Sequence, residues 1–291
     1  MENLKLLIRR GDTMKNFCVD INIKTIGACD HIAKLTTYIP DNEFAAEDRK
    51  IRPAVLIIPG GGYEYTSRRE GEPIALKYAS EGICAFVLDY SVAPAYFPQA
   101  LCEAFLAIKH IRKHAEEWNI DTNKIAVCGF SAGGHLCACV GNFWNAEWLD
   151  EYIKVDRKMI KPNLLILSYP VITSDNFTHK ESVSNLLGDN KTEEMLELIS
   201  MEKQVNSDVP PTFIWHTYED GTVPVKNTLV FGSALVEKGI PVEMHIYRRG
   251  WHGLSLGTYM VNEGMKIGEK YMCSDWIDKS VHFIFNEETS K

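Results

Sequence analysis

Ile125-Ala126-Val127-Cys128-Gly129-Phe130-Ser131-Ala132-Gly133-Gly134-His135 is the stretch that decides the fold of this chain. The four apolar residues Ile125–Cys128 read as a strand covered on both faces, as strands of a parallel sheet are. Residues 132–140 read as a helix that starts directly after Ser131. A strand that turns this sharply into a helix forces the serine into a strained backbone conformation, where bulky neighbours would collide. The same turn sets the hydroxyl at a helix N-terminus, whose partial positive charge favours a developing anion. Gly129-x-Ser131-x-Gly133 therefore has the strand before it and the helix after it that a nucleophile elbow requires; a glycine-rich helix start without chemistry would be the plainer alternative.

Outward from the elbow, further continuous apolar runs follow the same logic: Ala54–Ile58, Ala85–Leu88, Leu164–Leu167 and Phe213–Trp215. Val242–Tyr247 alternates more and closes the set, while Val19, Ile21, Ile23 and Ile26 give residues 16–39 the alternation of antiparallel strands at the entry to the sheet. Leu101, Ala104, Phe105, Ile108 and Ile111 recur at helical spacing, with Pro98 near the start. Val225–Lys238 and Met272–Phe285 read as further helices. Strand–helix alternation predicts one α/β domain over 1–291: a mostly parallel twisted sheet, helices on both faces, and antiparallel N-terminal strands. Residues 174–209 are polar and lack a strand run. With a helical piece around Thr192–Ile199, they read as a cap-like insertion over the carboxyl edge of the sheet, where such folds bind ligands.

Composition narrows the function. A formal net charge of −8 argues against nucleic acid as a partner. No apolar run approaches the ~20 residues of a membrane helix, so no membrane partner is expected. The longest apolar run near the start is Leu6–Ile8, short of a signal-peptide core of ~7–15 residues, which predicts a cytoplasmic protein. Cys18, Cys29, Cys84, Cys102, Cys128, Cys137, Cys139 and Cys273 are read as reduced and structural. Arg9-Arg10-Gly11-Asp12 ahead of Met14 could be encoded by a ribosome-binding-like stretch. Translation is therefore expected to begin at Met14, which would make residues 1–13 artefactual, with disorder over residues 1–15 as the other expectation.

Three more motifs carry chemistry. Pro59-Gly60-Gly61-Gly62-Tyr63 follows the first buried run and has the form of a glycine-rich oxyanion loop. Glycine lets backbone N–H groups approach a substrate oxygen closely, and Gly61, Gly62 and Ala132 are the expected donors. A phosphate-cradling loop would need a following Lys-Ser/Thr, which is missing. Glu219-Asp220-Gly221-Thr222-Val223-Pro224 follows the Phe213–Trp215 strand, and either acid there could orient a histidine. Gly250-Trp251-His252-Gly253-Leu254 follows the last strand and can carry His252 to Ser131. Of nine histidines, His252 alone combines a loop position with a strand end, and His135 is read as packing or hydrogen bonding under the elbow. The sequence holds no His-Glu-x-x-His and no spaced Cys/His set, so no metal and no cofactor are expected.

Together these stretches, with Ser67-Arg68-Arg69-Glu70, Phe86 through Pro94, Ser168-Tyr169-Pro170-Val171 and Pro210 through Pro224, resemble the α/β-hydrolase family, in its acetyl esterase/lipase group. The match is to the acetylxylan-esterase-like and feruloyl-esterase-like branch and runs from about residue 40 to the end. The order Ser131, Asp220, His252 is that family's order. Asp220 is favoured over Glu219 because Asp-x-x-Val-Pro recurs in such hydrolases. The resemblance implies a serine ester hydrolase with Ser131 as nucleophile, His252 as base and Asp220 as orienting acid. The implied partner is a small acyl ester, foremost an acetylated carbohydrate, with Tyr63, Arg69 and the insertion as substrate contacts. Pro59 stands where lipases carry histidine, and a helical N-terminal cap is missing, which disfavours long-chain lipids. The alternatives are a prolyl-oligopeptidase-type peptidase, for whose propeller about 50 residues ahead of the first buried strand leave no room, and a catalytically silent binding protein. Homo-oligomerisation stays open.

Overall fold

The runs Ala54–Ile58, Ala85–Leu88, Ile125–Cys128, Leu164–Leu167 and Phe213–Trp215 become strands because both of their faces find a helix layer to pack against. The structure is a computed structural model and describes residues 14–23, 31–42, 45–46 and 50–287. Residues 1–13, and with them the expectation about the start of the chain, lie outside the described residues, as does Cys29. The strands are β1 (Cys18–Ile21), β2 (Ala33–Tyr38), β3 (Arg52–Ile58), β4 (Cys84–Asp89), β5 (Ile120–Phe130), β6 (Leu164–Ser168), β7 (Thr212–Thr217) and β8 (Val242–Tyr247). They form one sheet in the order β1-β2-β4-β3-β5-β6-β7-β8. The β1–β2 and β2–β4 pairs are antiparallel, and all others are parallel. Lys15 already pairs with Ile39, so the sheet edge begins inside the stretch expected to be disordered.

The helices are α1 (Glu72–Ser80), α2 (Gln99–Lys113), α3 (Ala115–Trp118), α4 (Ala132–Phe143), α5 (Arg157–Ile160), α6 (Lys180–Leu187), α7 (Glu193–Leu198), α8 (Met201–Gln204), α9 (Lys226–Glu237) and α10 (Trp276–Asn286). Side chains alternate between two cores. Leu56, Ile125 and Val127 pack with Phe105 of α2, Leu136 of α4 and Phe231 of α9. Val55, Ala126 and Cys128 pack on the other face with Tyr78 of α1 and Trp276 of α10. Strands buried on both sides have no polar face to show, which is why they read as unbroken apolar runs.

The helical piece read around Thr192–Ile199 is α7, and the 174–209 segment holds two further short helices, α6 and α8, that the sequence did not indicate. None of the three exceeds about two turns, which leaves little repeat for a periodicity to show; α6 and α7 are started by local caps, His179 Nδ1 accepting from the Ser182 N–H and Thr192 Oγ1 from the Met195 N–H. The stretch read as one helix over Met272–Phe285 begins as a 3₁₀ turn, Met272–Asp275, before α10. The described cysteines are free, six of them buried and Cys18 exposed. Among the described residues, no helix is long and apolar enough to cross a membrane.

Trp276 ties α10 to the sheet. It is fully buried, stacks on Trp215 with centroids 5.2 Å apart, and donates its indole N–H to the Ser255 carbonyl at 2.8 Å. Trp276→Ala is expected to destabilise the fold by about 3–5 kcal/mol, read as a lowered midpoint in urea unfolding.

Candidate active site

The end of β5 delivers Ser131 to the carboxyl edge of the sheet at φ 52°, ψ −117°, a left-handed conformation that residues with side chains avoid. Its backbone is clamped on both sides. The Ser131 N–H donates to the Ser168 carbonyl at 3.0 Å, and its own carbonyl accepts from His135 and Val171. A Cβ on Gly133 would lie 2.2 Å from the Ile58 carbonyl oxygen, so only glycine lets α4 press against the end of β3.

Ser131 Oγ lies 2.7 Å from His252 Nε2, and His252 Nδ1 lies 2.7 Å from Asp220 Oδ2. An ionised carboxylate only accepts, so Nδ1 carries the proton and Nε2 is free to accept from the serine hydroxyl. Asp220 is buried, and its Oδ1 accepts the N–H groups of Thr222 and Val223, both at 2.9 Å. Glu219, the other acid, is exposed on the same turn. Burial alone would push the Asp220 carboxyl up. Hydrogen bonds from His216 and His252, the charge of His252, and the Val223 N–H outweigh it and hold Asp220 well below the usual carboxylate range.

His216 is a partner that the sequence did not single out. It is fully buried, and its Nε2–H faces both the Val223 carbonyl at 2.9 Å and Asp220 Oδ2 at 3.3 Å. Its Nδ1 lies 2.8 Å from Thr228 Oγ1, which donates to it. The only visible cue was a histidine at a strand end, four residues before the acid.

The glycine-rich loop leaves β3 at Pro59. Gly61 takes φ 128°, and a Cβ there would meet the Tyr65 carbonyl oxygen at 2.0 Å. Among the described residues, the N–H groups of Gly61, Gly62 and Ala132 make no backbone hydrogen bond of their own outside regular helices and strands. The insertion grips this loop, since Asn185 of α6 donates to the Gly62 carbonyl at 2.9 Å. Ser131 and His252 open into a cleft of ≈ 470 Å³ with a polar rim that includes Glu64, Arg69, His179, Glu181 and Asn185.

Tyr63 is not on that rim. It is 2% exposed, and its hydroxyl donates to His135 Nδ1 at 2.8 Å, so the substrate contact expected of it is not what the fold builds. Its φ of 56° turns the side chain inward under the elbow. His135 has the role read for it, with its Nε2–H donating to the Ile199 carbonyl at 2.8 Å. Arg69 does border the cleft, but its guanidinium donates to the carbonyls of Val261 and Gly253. Among the described residues, no group of three or more His, Cys, Asp or Glu could hold a metal ion.

The BD-FAE family model matches residues 38–235. The chain belongs to the BD-FAE family. It is 40% identical over 227 residues to endo-1,4-beta-xylanase B of Butyrivibrio fibrisolvens, covering 76% of this chain and 35% of that protein. It is 30% identical over 236 residues to an acetylxylan esterase of Xylanibacter ruminicola, covering 79% and 45%. The chain thus spans under half the length of these curated relatives. Among solved structures, an acetyl ester-xyloside bifunctional hydrolase from Caldicellulosiruptor lactoaceticus superposes with a TM-score of 0.81 at 33% identity, covering 94% of this chain and 97% of that one. The α/β-hydrolase fold of this BD-FAE member thus agrees with its neighbours over nearly its whole length.

Burial pushes the His135 imidazole down to about 4, so it stays neutral in the folded chain. Unfolded, it takes up a proton near pH 6.5. The folded pKa is the lower one, so the stability it confers is present above about pH 6.5 and is lost as pH falls towards 4. Urea unfolding free energies should decline across that window, and His135→Gln, which keeps an acceptor and a donor, should flatten that decline.

Proposed function

We propose that this BD-FAE member is a serine carboxylic-ester hydrolase that removes short acyl groups, acetyl foremost, from sugars or xylo-oligosaccharides through an acyl-serine intermediate. The observation that carries the reading is the unbroken relay from Ser131 Oγ through the His252 ring to a buried Asp220, with both bonds at 2.7 Å. His252 Nε2 takes the serine proton as Oγ attacks the ester carbonyl. The tetrahedral oxyanion is stabilised by the amides of Gly61, Gly62 and Ala132, aided by the N-terminus of α4. His252 then protonates the departing alcohol as the carbon–oxygen bond breaks, leaving the acyl group on Ser131. A water molecule, deprotonated by the same nitrogen, attacks the acyl carbon, and the acyl–Oγ bond breaks as His252 returns that proton to Ser131, releasing the acid. Asp220 stays ionised throughout and steadies the imidazolium.

The alcohol side of the reading rests on two supports. The relatives include an acetylxylan esterase and an acetyl ester-xyloside bifunctional hydrolase, which join acetyl esters to xylan and xylosides. The rim of the cleft carries Glu64, Arg69, His179, Glu181 and Asn185, and hydroxyl groups entering it exchange water for protein partners at little cost.

On purified protein with nitrophenyl acetate, Ser131→Ala is expected to lower kcat by at least about 10³-fold, with circular dichroism unchanged. Near-wild-type turnover in that variant would refute the assignment. Asp220→Asn should cost on the order of 10³–10⁴ in kcat, while Glu219→Gln stays within about threefold of wild type. The reverse ranking would move the acid role to Glu219. A prolyl-arylamide cleaved faster than the acetate ester would replace the esterase reading with a peptidase one.

A further inference from the structure

Glu70 belongs to none of the motifs that name a nucleophile, base or acid, yet it is only 3% exposed and bonded at both oxygens. Its Oε2 accepts the Gly60 N–H at 2.9 Å, at the root of the oxyanion loop. Its Oε1 accepts the Tyr169 O–H at 2.6 Å. The Tyr169 oxygen in turn accepts the Ser255 N–H at 3.0 Å, three residues beyond His252. Each bond in this chain runs donor to acceptor towards the carboxylate, so no member can reverse without orphaning another.

The rest of the same turn, Arg68–Glu70, reinforces the connection. Ser255 Oγ donates to the Arg69 carbonyl, and the Arg69 guanidinium holds the carbonyls of Gly253 and Val261. The Tyr169 ring meets the His252 ring edge-on, with centroids 5.2 Å apart. One buried carboxylate therefore joins the loop that presents the oxyanion donors to the loop that carries the base. Both groups must meet one substrate carbon, and displacements of about 1 Å at such a centre can cost on the order of 10²-fold in rate.

We propose, resting on the esterase reading above, that Glu70 is the positioning residue that sets the spacing between the oxyanion amides and His252. It acts through Gly60 and Tyr169, and its own oxygens are occupied.

Glu70→Gln tests this directly, because an amide offers one acceptor and one donor where two acceptors are needed. Tyr169→Phe is the milder variant: it keeps the ring against His252 and removes only the bridging hydroxyl. Both are measured with nitrophenyl acetate, with active sites titrated, and with a trifluoromethyl ketone, which forms a tetrahedral adduct on the serine. Expected for Glu70→Gln is a fall in kcat of about 30–300-fold with KM within about threefold, and a matching loss of ketone affinity. Tyr169→Phe should shift the same quantities in the same direction by less. The double variant should be no worse than Glu70→Gln alone by more than about threefold, because both changes break one chain.

Normal kcat per titrated site in Glu70→Gln, or substrate and ketone affinity falling together, would overturn the proposal. If Glu70→Gln does not fold, the same criteria applied to Tyr169→Phe decide. A wild-type enzyme that hydrolyses esters beside an unaffected variant sinks only this inference. A wild-type protein inert towards esters sinks the esterase reading and this one together.

Discussion

The backbone of Ser131 is the constraint on which the rest of the site depends. A serine held at φ 52°, ψ −117° carries strain on the order of 1–3 kcal/mol, which it keeps only where its surroundings leave no alternative. Here β6 supplies a carbonyl to its N–H, α4 and Val171 take its own carbonyl, and Gly133 lets α4 close to van der Waals distance of β3. Relaxing the turn would break all three at once. The reward is geometric: a short polar side chain stands clear of the sheet edge, and a helix N-terminus lies directly behind it. The glycines around the serine are thus a packing requirement of the turn before they are a chemical signature.

The second constraint is electrostatic. A carboxylate as deeply buried as Asp220 would ordinarily prefer to be neutral. It remains ionised because two backbone N–H groups occupy one oxygen while His252 and His216 share the other. His216 can serve this way because its proton is fixed on Nε2 by the Val223 carbonyl and its other nitrogen is filled by Thr228. The acid is therefore oriented twice over, by its own turn and by a buried imidazole on β7. A flexible acid could let the His252 ring swing, and the 2.7 Å contact with Ser131 would lengthen with it.

What could be read in the sequence was what the backbone imposes locally. The strands Ile125–Cys128 and Leu164–Leu167 were legible because two-sided burial leaves no polar position in them. Ser131 and His252 were legible because sharp turns demand glycines nearby. The turn by itself narrowed the acid only to Glu219 or Asp220, since adjacent residues on a turn point opposite ways, and the preference for Asp220 came from the Asp-x-x-Val-Pro resemblance. Tyr63 was misjudged for a related reason: a positive φ sends its ring under the elbow, where His135 is waiting 72 residues away. Glu70 and Asn185 left no local trace of their roles, and His216 left only its place at a strand end four residues before Asp220. Their roles exist only through contacts with Tyr169, Asp220 and Gly62, and for Glu70 and Asn185 those partners lie about a hundred or more residues along the chain.

Those non-local contacts also explain why the 174–209 insertion is more than a cover. Asn185 holds the Gly62 carbonyl, and the Ile199 carbonyl fixes the His135 ring that in turn holds Tyr63. Two residues of the glycine-rich loop therefore take their conformation from the insertion, one from above and one from beneath. A loop of consecutive glycines has the largest conformational entropy to lose on ordering. Without side chains of its own, it must borrow its rigidity, and the borrowed contacts come from the same short helices that put His179 and Glu181 on the rim of the cleft. Changes in the insertion that reshape the rim of the cleft would thus also shift the Gly61 and Gly62 amides, so the shape of the cleft and the conformation of the glycine-rich loop are mechanically linked in this fold.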